Sequence, residues 1–198
     1  MTFALTAQEP QRPVGRHPDD FYATPRWAVA AVARSRAVPP LFGHVLEPSC
    51  GDGAILDVLR ELAPFRRIHG IELDEGRASE ARRRGHSVTT GSFFDWGLRP
   101  GLSTPYVLGN PPFSLAQEFV EHALSFLPAG CRVTFLLRLA FIASQKRAHL
   151  YDDVAGFRLL QVLPRRPSFT PDGKTDSSDY AWFTWEVGFS GDAVVERL

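Results

Sequence analysis

The sequence predicts an α/β fold: seven strands in a mostly parallel sheet, helices on both faces, and an antiparallel last strand. Three observations lead there. Short apolar runs recur along the chain and read as strands. Stretches with apolar residues at helical spacing separate most of them, which calls for parallel strands joined by crossover helices. The last two runs are joined by a loop instead, so the final pair is expected to be antiparallel.

Residues 1–20 are rich in Pro, Gln and charge and read as a flexible arm, leaving 21–198 as a single domain. Thr24-Pro25 opens a helix, Thr as N-cap and Pro in the first turn, running through Trp27, Val29 and Val32. Strands are expected over 44–48, 67–73, 86–90, 106–108, 132–139, 157–163 and 180–189. Helices are expected over 54–62, 75–84 and about 143–151. Gly85 closes the second of these. Ser114 with Gln117 forms a capping box for a further helix reaching Leu127, with Leu115, Phe119, Ala123 and Phe126 on one face.

The chain has 198 residues, 44% of them hydrophobic, enough for an ordinary core and far from global disorder. Charges interrupt every apolar run before it reaches the length of a membrane span. The N-terminal residues lack the pattern of a secretion signal, and Cys50 and Cys131 are too few for a disulfide framework or a metal cluster. A cytoplasmic location and no metal are the expectations. Net charge is zero, yet 129–151 and 154–171 hold no Asp or Glu while carrying Arg132, Arg138, Lys146, Arg147, Arg158, Arg165 and Arg166. Such stretches serve phosphate binding or a solvated face.

The first strand runs into Glu47-Pro48-Ser49-Cys50-Gly51-Asp52-Gly53. Gly51 and Gly53 permit a sharp turn and close approach of a ligand. The pattern is neither a dinucleotide fingerprint nor a phosphate loop. The second strand ends in Glu72-Leu73-Asp74, about 20 residues on, the distance of a ribose-binding acid. Each signal alone also suits an ordinary turn or a surface acid. Together they favour an adenosine ligand without a pyrophosphate, such as S-adenosylmethionine. The fourth strand runs into Asn110-Pro111-Pro112-Phe113, where two prolines stiffen a turn rich in acceptors, as a planar amino group requires.

With these motifs in this order the chain resembles the class I S-adenosylmethionine-dependent methyltransferases, with their Rossmann-like sheet, and among them the DNA adenine-N6 enzymes of phage type. The resemblance covers residues 21 to about 186. It implies that S-adenosylmethionine is the cofactor and that Tyr22, Thr24, Pro25, Glu47, Ser49, Gly51, Gly53, Glu72, Leu73, Ser92, Phe93, Asp95 and Asn110 bind it. Many relatives have Asp where Ser92 stands, and Asp95 is then the substitute. The resemblance also implies a catalytic turn, Asn110, Pro111, Pro112 and Phe113, whose Asn side chain and Pro111 carbonyl accept the amine hydrogens while Phe113 stacks on the base. No metal or covalent nucleophile is implied. Arg138, Lys146, Arg147, Arg165, Arg166 and Lys174 would meet the nucleic acid. Phe169 is either the second wall of the base pocket or a loop hydrophobe packed on the core. The span 176–185, with Tyr180, Trp182 and Trp185, reads mainly as core strand.

DNA is the expected partner. The residues after 186 are too few for a target-recognition domain, so the site read is short, specificity is loose, or a second subunit or partner helps. The same turn chemistry also serves methylation of RNA bases, DNA cytosine N4 and protein glutamine, and a non-catalytic regulatory subunit on this fold is a further alternative. A membrane partner is not expected.

Overall fold

The computed structural model describes residues 22–38, 44–62, 67–97, 106–152, 155–170, 173–175 and 177–198. The arm expected over 1–20 lies outside them, as does Phe21. Eight strands form one sheet: β1 (His44–Glu47), β2 (Arg67–Glu72), β3 (Ser87–Thr90), β4 (Tyr106–Gly109), β5 (Arg132–Arg138), β6 (Phe157–Val162), β7 (Tyr180–Glu186) and β8 (Val194–Arg197). Their spatial order is β3-β2-β1-β4-β5-β7-β6-β8. Strands β1 to β5 pair in parallel with one another, and β7 is antiparallel to both β5 and β6. The β1 position, with β2 on one side and β4 on the other, is the switch point where a ligand site forms at the strands' carboxyl ends.

The eighth strand corrects the expected seven. Val194–Arg197 adds in parallel to β6, with Leu159 opposite Val194 and Val162 opposite Arg197. Four residues after the Gly188 and Gly191 breaks carry too little periodicity to read as a strand, and the pairing itself fixes them there.

Helices α1 (Arg26–Ala33) and α2 (Ala54–Leu62) contact one another on one face. They cover a core with Val45, Leu108, Leu136, Tyr180 and Trp182. Helix α4 (Ala116–Phe126) covers the opposite core of Leu46, Val107, Val133, Phe135, Phe183 and Trp185. Adjacent residues Val45 and Leu46, or Phe135 and Leu136, thus serve opposite faces, the period of two that a sheet imposes. Helix α3 (Glu75–Arg83) packs on β2 and β3, with Asp74 Oδ1 accepting from Arg77 N at 2.8 Å as its N-cap. The buried indoles are satisfied: Trp182 Nε1 donates to the Ala28 carbonyl at 3.2 Å and Trp185 Nε1 to that of Leu150 at 2.7 Å.

Three local expectations change. Helix α1 starts at Arg26 with Pro25 as N-cap and no side-chain cap, while Thr24 is buried. Helix α4 has Leu115 as N-cap with no side-chain cap, Gln117 Nε2 donates along the helix to Glu121 Oε1, and Leu115 lies exposed. The helix expected over 143–151 is two 3₁₀ segments, Leu139–Ala143 and Gln145–Leu150, broken by Ser144 in an extended conformation. The Phe141 carbonyl is taken by Arg147 Nε and Tyr151 Oη, which replaces the bond an α-helix would give it.

Candidate functional site

The site forms where three carboxyl-terminal turns meet, after β1, β2 and β4. The first turn is held by close packing. Gly51 and Gly53 have φ of 56° and 95°, the left-handed region that favours glycine. Gly51 N donates to Glu72 Oε2 at 2.8 Å and Cys50 N to the Ile71 carbonyl at 2.9 Å. Cys50 sits against Gly70, where an added Cβ would stand 2.6 Å from its sulfur. Behind the turn, Arg84 pairs with Asp52 at 3.3 Å and with Asp57, and His86 Nε2 meets Asp57 Oδ1 at 2.7 Å.

Three acidic residues therefore gather at this end of β1 and β2. Glu72 is nearly buried and takes three donors: Gly51 N, Asp74 N at 2.9 Å and Arg77 Nε at 3.1 Å. Glu47 is buried, and its Oε2 has no hydrogen-bond partner; the same holds for Asp52 Oδ1. Burial first, then the charges of Glu72 and Asp52, push the Glu47 carboxyl well above the ordinary carboxylate range. Leu73, directly after Glu72, is 73% exposed, an apolar side chain left open to a ligand. Ser92 Oγ accepts from Phe94 N at 3.2 Å and caps the short 3₁₀ turn Phe93–Asp95. Phe93 packs inside the core against Phe119 and His122, whereas Phe94 presents an exposed ring and Asp95 lies at the surface.

The turn after β4 faces the first. Ser49 Oγ donates to the Asn110 carbonyl at 3.4 Å, and an added Cβ at Gly109 would meet Pro48 Cδ at 3.1 Å. Asn110 Nδ2 donates to the Tyr22 carbonyl at 3.2 Å. That fixes the amide, and its Oδ1 is left buried with no partner. Pro111 is buried, and the Pro112 carbonyl accepts from Leu115 N at 3.0 Å.

Phe113 belongs to a cluster of four aromatic rings. Its centroid lies 5.9 Å from Tyr22, 5.5 Å from Tyr180 and 6.0 Å from Phe169. Phe169 in turn lies 5.7 Å from Tyr22 and 5.1 Å from Tyr180. The Arg138 guanidinium stands 5.2 Å from the Phe113 centroid. Tyr180, a core residue by its sequence, is buried, and it also contacts Phe113 and Phe169 because its register partner is Arg138, at the carboxyl end of β5.

Of the expected nucleic-acid cations, Arg138 alone joins the aromatic cluster among the described residues. Arg147 folds back over Phe141 at 4.3 Å, Arg165 covers Trp27 at 4.5 Å, and Arg166 pairs with Asp179 at 2.8 Å. Lys146 and Lys174 are exposed.

The model of a family described as "Uncharacterised methyltransferase family (DUF6094)" matches residues 18–118, just over half of the chain. That stretch contains all three turns. The "Type II methyltransferase M.TthHB8I" of Thermus thermophilus is 33% identical over 92 residues, 46% of this chain and 21% of its own length. The chain thus spans about a fifth of the curated relative it matches. A putative class I S-adenosylmethionine-dependent methyltransferase from Listeria monocytogenes superposes with a TM-score of 0.69 at 15% identity, over 93% of this chain and 68% of the other. The 23S rRNA methyltransferase ErmE gives 0.64 at 19% identity, over 86% and 71%. The M protein of the type I restriction enzyme EcoKI gives 0.61 at 15% identity, over 90% and 47%. At these identities the superpositions establish a shared fold.

Proposed function

The chain belongs to the uncharacterised methyltransferase family (DUF6094), and from that premise we propose that it methylates the exocyclic N6 amine of adenine in DNA. S-adenosylmethionine is the cofactor. The residues at the turns fit it. Glu47 Oε2 and Asp52 Oδ1 are buried acceptors without partners, and Leu73 is an apolar surface with no cover. Glu72 would hold the ribose hydroxyls, and its three protein donors leave it acceptor capacity to do so. Leu73, Ser92 and Asp95 would border the adenine, and Tyr22, Thr24, Pro25 and Glu47 the methionine part. When bound, the cofactor supplies an electron-poor methyl group on a sulfonium sulfur.

The observation that carries the reading is Asn110 Oδ1, a buried amide oxygen with no donor. An unsatisfied buried acceptor costs about 1–3 kcal/mol, and a substrate N–H removes that cost. The Asn110 oxygen would take one hydrogen of the amine and the Pro111 carbonyl the other. Held this way, the nitrogen lone pair is drawn out of conjugation with the ring and aimed at the methyl group. Catalysis is then positioning and preorganised polarity, with no covalent intermediate on the protein. Phe113 would stack on the base, and a base from duplex DNA would have to leave the helix to reach it. The relative named a Type II methyltransferase and the order of motifs both support DNA as the bearer.

The test offers duplex DNA, single-stranded DNA and RNA with radiolabelled S-adenosylmethionine, then digests to nucleosides. Label in N6-methyldeoxyadenosine, absent with Asn110→Ala, is the expected result. Label in another nucleoside would overturn the adenine or DNA assignment and leave the amine chemistry standing. No label on any polymer would overturn the nucleic-acid assignment.

A further inference from the structure

The three acids at the first turn do not share the available cations evenly. Glu72 has Arg77 at 3.1 Å and Asp52 has Arg84 at 3.3 Å. No ion pair reaches Glu47 among the described residues, although its carboxyl is buried and Oε2 is sealed from solvent. The charges that act on it are acidic, those of Glu72 and Asp52. Gly70 is its register partner on β2, and on the β4 side an added Cβ at Gly109 would stand 3.6 Å from its Cγ. Asp52, Glu72 and the Cys50 thiol share its surroundings. The nearby cations Arg77 and Arg84 are engaged by other acids, and His86 faces Asp57. A buried carboxylate with no countercharge is costly, and the group stays neutral instead.

We propose that Glu47 is a protonated carboxylic acid in the cofactor-free protein and gives its proton to solvent when the ammonium group of S-adenosylmethionine reaches it, so that each cofactor bound releases one proton. The inference rests on S-adenosylmethionine being the ligand of these turns. In the step, the Glu47 O–H bond breaks heterolytically, the proton passes to buffer, and the carboxylate left behind pairs with the ammonium. No electrons change hands. The shift of Glu47 away from ordinary carboxylates by burial and by Glu72 and Asp52 agrees with this. Where the free acid is protonated, affinity for the cofactor rises about tenfold per pH unit. A ligand with the adenosine and thioether but no amino-acid part has nothing to exchange for the proton.

Calorimetric titration in buffers of differing ionisation enthalpy counts the protons. At about pH 6.5 the cofactor's own amine is already charged, because an α-amino group titrates at about 7.7–8.0. The expected count is one proton released per S-adenosylmethionine and none per 5′-methylthioadenosine. Glu47→Gln should bind S-adenosylmethionine at least tenfold more weakly with no release, while His86→Asn keeps the wild-type count. Binding by the wild type without proton release would overturn the inference, as would an unchanged count in Glu47→Gln. Absence of any binding by the wild type would overturn the cofactor reading itself, and the inference with it. Should Glu47→Gln fail to fold, the contrast between the two ligands on the wild type decides alone.

Discussion

The Asn110 side-chain amide donates to the Tyr22 carbonyl, 3.2 Å away and 88 residues earlier in the chain. One bond thus ties the segment before α1 to the turn after β4 and fixes which end of the amide is spent. The nitrogen is used, and the oxygen is left buried without a donor. Asn110→Ala removes that oxygen, and loss of one preorganised hydrogen-bonding group lowers turnover by about 10²–10³. Cofactor affinity should change far less, because Glu47, Glu72 and Leu73 remain. Turnover assays beside equilibrium cofactor titration check the split.

Phe113 and Phe169 touch each other and share Tyr22 and Tyr180 as neighbours. Loss of one stacking aromatic costs about 1–3 kcal/mol per base. Phe113→Ala should raise KM for polynucleotide by about tenfold or more. Phe169→Ala should do so too if Phe169 walls the base pocket; a loop hydrophobe would instead show its loss in thermal stability. Steady-state kinetics and melting, taken together, separate the two roles.

Gly70 leaves room for Cys50. Gly70→Ala would set a methyl 2.6 Å from the Cys50 sulfur and 3.1 Å from Leu56 Cδ1. Overpacking of this kind costs about 1–3 kcal/mol. Cys50→Ala removes the sulfur, so the double variant should recover part of that loss. Urea denaturation of the two single variants and the double variant measures the coupling.

His86 lies beneath Gly53, and burial, then Arg60 and Arg84, hold it below its ordinary value of 6.5. The unfolded chain therefore takes the proton first. Stability attributable to His86 is present above pH 6.5 and is lost as pH falls below it towards the lowered folded value. His86→Gln should flatten that part of a stability–pH curve.

Glu47 carries the opposite sign. Its folded acid holds a proton that the unfolded chain gives up above the ordinary 4.5. Stability from this group is full below 4.5 and declines as pH rises towards the raised folded value. Glu47→Gln should therefore make the cofactor-free protein more stable at neutral pH, visible in urea midpoints measured at pH 4 and 7.

Much of the site could be read from the sequence because its parts are turns. Gly51, Gly53, Pro111 and Pro112 are residue types whose backbone preferences act locally, so their positions at strand ends follow from the chain alone. Helix α2 over Ala54–Leu62 was also legible, since its apolar spacing matches the face it buries. What could not be read depends on partners distant in sequence. Tyr180 enters the site through its pairing with Arg138, and Arg166 is drawn to Asp179. Residues 139–150 have helix-forming composition, yet Arg147 and Tyr151 claim the Phe141 carbonyl and the segment tightens into 3₁₀ turns.

Strand β7 pairs along one edge with β5 and along the other with β6, and both precede it in the chain. Synthesis on the ribosome delivers the strands from the amino end, so the strand that bridges β5 and β6 arrives after both of them. Until residue 186 is available, β5 and β6 expose unpaired backbone edges, and Phe135, Leu136 and Leu160 lack the surface that buries them. Closure of the domain is consequently a late event, set by contacts far apart in sequence.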